Sequence, residues 1–265
     1  IIKNFPSNQF NHAMLCVPMQ KDTVWLECTS QINPCGYQGS FSDDRDVLLI
    51  SDTSKIVHTN KYTSSVNIIR NSTQLTLDGN GNISGNLCIV RSGKMFDPFF
   101  IIASYLSDNE QEKMIYDYLS VNNMLLNDLS LSLQKDYIPS GTLRSNFFVK
   151  DYAKLSGNRL FVQLNLLSPF ETELILDSLR TLPIYQPDDY TVSDTTLFKL
   201  PAGFAIENSL PDFQINTPFG NYSAKAVIEA GNNTLTYTRN LEIKKGSFAP
   251  AEHKAYFEFQ QKISK

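Results

Sequence analysis

The pentapeptide Asp78-Gly79-Asn80-Gly81-Asn82 stands between two β-forming runs, Val66-Asn67-Ile68-Ile69-Arg70 through Leu77 and Ile83 through Arg91. Glycine and asparagine accept the positive φ angles of a tight reversal, so the two runs must fold back on each other as an antiparallel hairpin. Punctuation of this kind recurs along the chain. Asn232-Asn233 separates residues 222–230 from 234–243, Ser156-Gly157-Asn158 precedes a run at 160–166, and further alternating runs cover 129–137 and 143–152. From Arg159 onward, turn signals at intervals of about 8 to 15 residues read as a β-sandwich. Val47-Leu48-Leu49-Ile50 reads as a short buried strand, followed by a bridge over residues 56–62.

Helical signals are few. Asp97-Pro98 combines an N-cap with proline at the first helical position, ahead of Phe99, Ile102, Tyr105 and Leu106. Ser107 and Glu110 have capping-box spacing before the stripe Met114, Ile115, Tyr118 and Leu119. Residues 250–263 fit a terminal helix with Ala255, Phe259 and Ile263 on one face. The fold expected is mainly β, α+β overall, in three units: residues 1–55, a β-rich unit with a helical insertion at 56–158, and a β-sandwich at 159–265.

Composition removes several function classes. Lys and Arg total 23 against 27 Asp and Glu, a net charge of −4 with no basic run, which argues against nucleic acid as a partner. The longest apolar stretch, Phe99-Phe100-Ile101-Ile102-Ala103, falls far short of the roughly 20 residues a membrane helix needs. Cys16, Cys28, Cys35 and Cys88 form neither a dense disulfide framework nor a CxxC pair and read as free thiols. His12, His58 and His253 are too scattered for a zinc site, and no cofactor or metal is expected. Asp43, Asp44 and Asp46 lack the alternating ligands and glycine of an EF-hand loop, so turn capping is expected rather than calcium.

The chemistry concentrates in residues 10–29. Apolar and β-forming residues up to Pro18 and the run Thr23-Val24-Trp25-Leu26 read as two arms, with Pro18-Met19-Gln20-Lys21 as the turn. If Val17 pairs with Asp22, His12 falls directly opposite Glu27, with Cβ atoms roughly 4.5 to 5.5 Å apart. A two-residue loop at Lys21-Asp22 would keep both on one face but separate them by about 13 Å along the strand. A carboxylate on one imidazole nitrogen fixes the tautomer and leaves the other nitrogen free to take a proton from a nucleophile. On spacing alone His12 and Glu27 are either a candidate catalytic pair or a surface or half-buried histidine with a chance acidic neighbour.

Phe10-Asn11-His12, then Trp25-Leu26-Glu27-Cys28-Thr29-Ser30-Gln31 and Gly36-Tyr37-Gln38-Gly39-Ser40-Phe41-Ser42-Asp43-Asp44-Arg45-Asp46-Val47-Leu48-Leu49-Ile50, resemble the histidine and acid strands of bacterial transglutaminase-like proteins. Leu200-Pro201-Ala202-Gly203-Phe204, Phe219-Gly220-Asn221-Tyr222, Tyr237-Thr238-Arg239 and Tyr256-Phe257-Glu258-Phe259 are similar to the C-terminal sandwich of the same family. The resemblance implies a papain-like core with chain order Cys, His, Asp, in which His12 is the base and Glu27 stands at the acidic position. It also implies a protein or peptide substrate whose amide bond is attacked, and a periplasmic or extracellular location. The family's cysteine opens a helix a few dozen residues before the histidine, whereas only eleven residues precede His12. The expectation is thus a C-terminal fragment that depends on an upstream part of the same polypeptide and is inactive alone. The alternative is a non-catalytic binding or scaffold protein with a degenerate core and β-sandwich interaction domains.

Overall fold

The computed structural model describes residues 2, 5, 7–20, 22–167, 179–208, 210–229, 231 and 233–264. Lys21 of the first expected turn and Asn232 of the last lie outside them. The N-terminal part carries β1 (Leu15–Pro18), β2 (Thr23–Leu26), α1 (Gly39–Ser42), β3 (Asp46–Leu49) and β4 (Lys55–His58). There follow β5 (Ile68–Leu77), β6 (Ile83–Ser92), α2 (Asp97–Tyr105), α3 (Asp108–Leu119), β7 (Met124–Gln134), β8 (Ser140–Val149), β9 (Lys154–Ser156) and β10 (Arg159–Phe161). The chain closes with β11 (Ile184–Gln186), β12 (Tyr190–Lys199), β13 (Phe213–Thr217), β14 (Gly220–Glu229), β15 (Thr234–Ile243), β16 (Gly246–Phe248) and α4 (His253–Ile263).

The protein is mainly β. One mixed sheet runs β13-β14-β15-β12-β5-β6-β8-β7, and two-stranded pairs β1-β2, β3-β4, β9-β10 and β11-β16 surround it. Its centre is a parallel pairing of β12 with β5, from Thr191 opposite Ile68 to Lys199 opposite Thr76. Hydrogen bonds of this sheet therefore cross residue 159, where the sequence pattern changes. All the other pairings within it are antiparallel.

One face of the sheet is covered and the other is open, with Leu125 and Phe148 exposed among its polar residues. Leu75, Leu77, Ile83, Leu87, Ile89, Leu143, Phe147 and Val149 alternate inward against Phe99 and Ile102 of α2 and Ile115 and Leu119 of α3. Ser107 caps α3 as its spacing predicts: Glu110 accepts from the Ser107 amide at 2.9 Å and hydroxyl at 2.6 Å. A second core places Phe259 and Ile263 of α4 against Val192, Tyr222 and Leu241. Burying side chains of this size stabilises by roughly 1.5 to 3 kcal/mol each. Ala255 is exposed, and His253 and Gln260 are the other buried residues of α4.

Between these cores the covered face turns polar. Asp194 lies in register with Asn71 on one side and Arg239 on the other. Its carboxylate accepts from Asn71 Nδ2 at 2.6 Å and from Arg239 Nε at 2.6 Å, so each buried polar group has a partner on a neighbouring strand.

Two local expectations change. β3 is only half-buried, with Leu48 41% exposed and Ile50, just beyond it, 84% exposed, because β3 pairs with β4 alone and lines an open groove. The expected bridge at 56–62 begins as β4 itself, with Asp46 opposite His58.

The Asp78 loop closes as expected, with Asp78 Oδ1 accepting the amides of Asn80 at 2.8 Å and Asn82 at 2.9 Å. Gly81 sits at φ +90° and a Cβ there would lie 2.3 Å from the Ala153 carbonyl oxygen. Gly81→Ala is expected to destabilise the protein by about 2 kcal/mol or more, read as a shifted urea midpoint at unchanged slope.

Candidate functional site

His12 and Glu27 meet. The Nε2–H of His12 donates to Oε2 of Glu27 at 2.6 Å, with the histidine side chain 19% exposed and the glutamate 8%. The ladder that brings them together differs from the expected one: Val17 pairs with Val24 and Pro18 with Thr23, while the Met19 amide donates to the Asp22 carbonyl at 2.8 Å. Proline thus ends the first strand instead of opening the turn, and the register moves by two residues. A two-residue shift preserves the face, since side chains alternate with period two.

The ladder itself stops at Leu15 opposite Leu26, short of both functional residues. Carried outward, its register puts Glu27 diagonal to His12 instead of opposite. Diagonal positions are roughly 7 to 8 Å apart, within reach of a long side chain. Glutamate, with its longer side chain, spans that offset.

Thr29 holds the far side of the carboxylate, donating to Glu27 Oε1 from its amide at 2.9 Å and its hydroxyl at 2.6 Å. Burial by itself raises the Glu27 pKa; the bonds from Thr29, and then from His12, outweigh it and leave the group below its ordinary value. Glu27 is therefore ionised at neutral pH and, as an acceptor, favours the Nε2–H tautomer of the neutral imidazole, which leaves the lone pair on Nδ1. Among the described residues nothing hydrogen-bonds Nδ1. The imidazole packs edge-to-face against Phe41 of α1, with ring centroids 4.9 Å apart at 89°.

His12 opens onto a groove of about 880 Å³. Residues 9–16 form one wall and Val47 to Ile50 the other, with Trp25, Phe41, Asp44, Asp46 and His58 also lining it. All four cysteines are free thiols. Cys16 lines the groove but makes no hydrogen bond to His12, and Cys28, Cys35 and Cys88 are not among its lining residues.

The acidic group Asp43, Asp44 and Asp46 is neither a cation loop nor a set of simple turn caps. Each carboxylate is held by a basic side chain. Lys94 Nζ donates to Asp43 at 3.0 Å and also to Asp188, and Lys245 Nζ donates to Asp44. His58 bridges Asp46 through Nδ1 at 3.0 Å and Asp44 through Nε2 at 2.8 Å. The bonds from Asp46 and then Asp44 raise the His58 pKa, and those from Lys245 and then His58 hold Asp44 down at about 2. Histidine 58 has both nitrogens engaged, which suits a clasp and not a base. Its pairing with Asp46 was legible in principle, since Ser51-Asp52-Thr53-Ser54 makes a turn that sets 46 opposite 58. Thr29 and Phe41 carried no comparable signal.

Residues 158–265 match the model of a family described as a domain of unknown function with a solved structure, DUF3858. The matched span runs from β10 to α4 and includes none of the His12–Glu27 hairpin. No similar protein was found among curated proteins, and none among solved structures. No helix among the described residues is long and apolar enough to cross a membrane.

A folded-state pKa above the unfolded value means that the His58 clasp stabilises fully below about pH 6.5 and fades as pH rises through the raised value. His58→Asn is therefore expected to cost more stability at about pH 5.5 than at about pH 9, measured by urea unfolding at both. An equal cost at the two values would show that protonation of His58 contributes nothing.

Proposed function

We propose that residues 1–55 are the base- and acid-bearing part of a transglutaminase-like cysteine enzyme that acts on amide bonds of a protein or peptide substrate. The observation that carries this reading is the 2.6 Å bond between His12 Nε2 and a nearly buried Glu27, with Nδ1 left unoccupied beside an open groove. Nδ1 takes the proton of a thiol, and the thiolate attacks the amide carbon. The C–N bond breaks as the imidazolium returns that proton to the leaving amine. The thioester then passes its acyl group to water, giving hydrolysis, or to an amine, giving acyl transfer. Glu27 stays ionised throughout and stabilises the imidazolium.

The thiol comes from outside residues 1–265 in this reading. Cys16 is four residues from His12 along the same strand direction, about 13 Å away in extended chain, and the other three cysteines lie away from the groove. Substrate chain occupies the groove between residues 9–16 and β3, and export to the periplasm or exterior accompanies the resemblance.

The test compares this chain with the polypeptide extended upstream as its gene encodes it, using casein, a glutamine-donor substrate and a labelled thiol-directed inhibitor. The chain alone is expected to show no turnover, and the extended form to show turnover that His12→Ala reduces by about 10² or more. Turnover by the chain alone, abolished by Cys16→Ala or Cys35→Ala, would overturn the assignment of the nucleophile. Inactivity of both forms would favour the binding or scaffold reading.

A further inference from the structure

One hydrogen bond fixes one atom of an imidazole. With only Nε2 tied to Glu27, the His12 ring keeps freedom in its χ1 and χ2 torsions and can carry Nδ1 out of position. Among the described residues, the ring packed against it is that of Phe41, edge-to-face at 4.9 Å. Phe41 is 58% exposed and belongs to none of the three apolar cores, so it adds little to folding.

The turn that carries Phe41 is held far more firmly than its own burial requires. Ahead of it, the Gln38 amide donates to the buried Tyr62 hydroxyl at 3.1 Å, and Ser40 Oγ donates to Asp97 at 3.1 Å. Behind it, Ser42 Oγ returns to the Gln38 carbonyl at 2.9 Å, and Asp43 and Asp44 are bonded to Lys94 and Lys245. A rigid turn thus presents an exposed aromatic ring to one target, the His12 imidazole.

We propose that Phe41 is a positioning residue: it restricts the torsional motion of the His12 ring and so holds Nδ1 toward the groove. The proposal rests on the reading of His12 as the base, and its first test needs no activity. The side-chain Nε2–H of His12, observed by proton–nitrogen NMR on this chain, is protected while the ring is held. In Phe41→Ala its exchange with water is expected to accelerate by about tenfold or more, with the urea midpoint of the protein unchanged. Phe41→Tyr, which keeps the ring, is expected to restore protection.

Unchanged exchange in Phe41→Ala would overturn the proposal, and so would an acceleration matched by an equal loss of global stability. In the extended, active polypeptide Phe41→Ala is expected to lower kcat by about 10- to 100-fold at nearly constant KM, with Phe41→Tyr close to the parent. A raised KM at unchanged kcat would instead make Phe41 a substrate contact. If no form of the protein is active, the exchange measurement still decides whether Phe41 holds the ring.

Discussion

The Lys94 ammonium is buried between two carboxylates, and the placement of the site depends on it. Taking a charge out of water costs several kcal/mol unless partners replace the lost solvation. Asp43 and Asp188 supply them, and although burial lowers the Lys94 pKa, the two carboxylates outweigh it and keep the ammonium charged. These residues come from three distant stretches: Asp43 follows α1, Lys94 lies in the tight turn after β6, and Asp188 precedes β12. The bond network therefore ties the N-terminal segment to the end of the sheet. Tyr37 adds to it, donating from its hydroxyl to Asp97 at 2.5 Å and packing with Tyr62, Phe96 and Phe100.

Asp43 and Asp44 divide the work. One faces inward to Lys94, and its neighbour faces the groove, where His58 and Lys245 hold it. Asp44 has φ 52°, a left-handed conformation that lets adjacent side chains diverge in this way. Phe41 lies two residues before this anchor and takes its position from it. A segment with few buried apolar side chains thereby presents a defined imidazole, because ionic and hydrogen-bonded contacts replace the core it lacks.

Local chemistry made much of this legible. The Asp78 loop and the Ser107–Glu110 cap are properties of a few adjacent residues and form where their spacing puts them, whereas Asp97, expected as an N-cap, is the first residue of α2 and Phe96 stands at the cap. The side-chain face shared by His12 and Glu27 was also readable, since an even register shift leaves parity unchanged. The register itself was not, because it turned on whether Pro18 opened the turn or closed the strand. The parallel pairing of β12 with β5 and the Asn71–Asp194 bond join residues more than a hundred positions apart, and Arg239 reaches Asp194 across 45, beyond any short-range pattern. Ala255 shows the limit of periodicity: its spacing from Phe259 was right, but that end of the stripe is exposed, whereas His253 is buried.

The central claim is that Glu27 holds His12 as an Nε2–H tautomer whose Nδ1 lone pair is available as a base. The most direct measurement is the pair of ring nitrogen chemical shifts of His12 in uniformly labelled protein, read after the pH has been raised until the imidazole is neutral. The account predicts one protonated nitrogen, Nε2, and one bare nitrogen, Nδ1, with Glu27→Gln shifting the pattern toward a mixture of tautomers. A protonated Nδ1 in the unmodified protein, or a tautomer mixture that Glu27→Gln leaves unchanged, would contradict it.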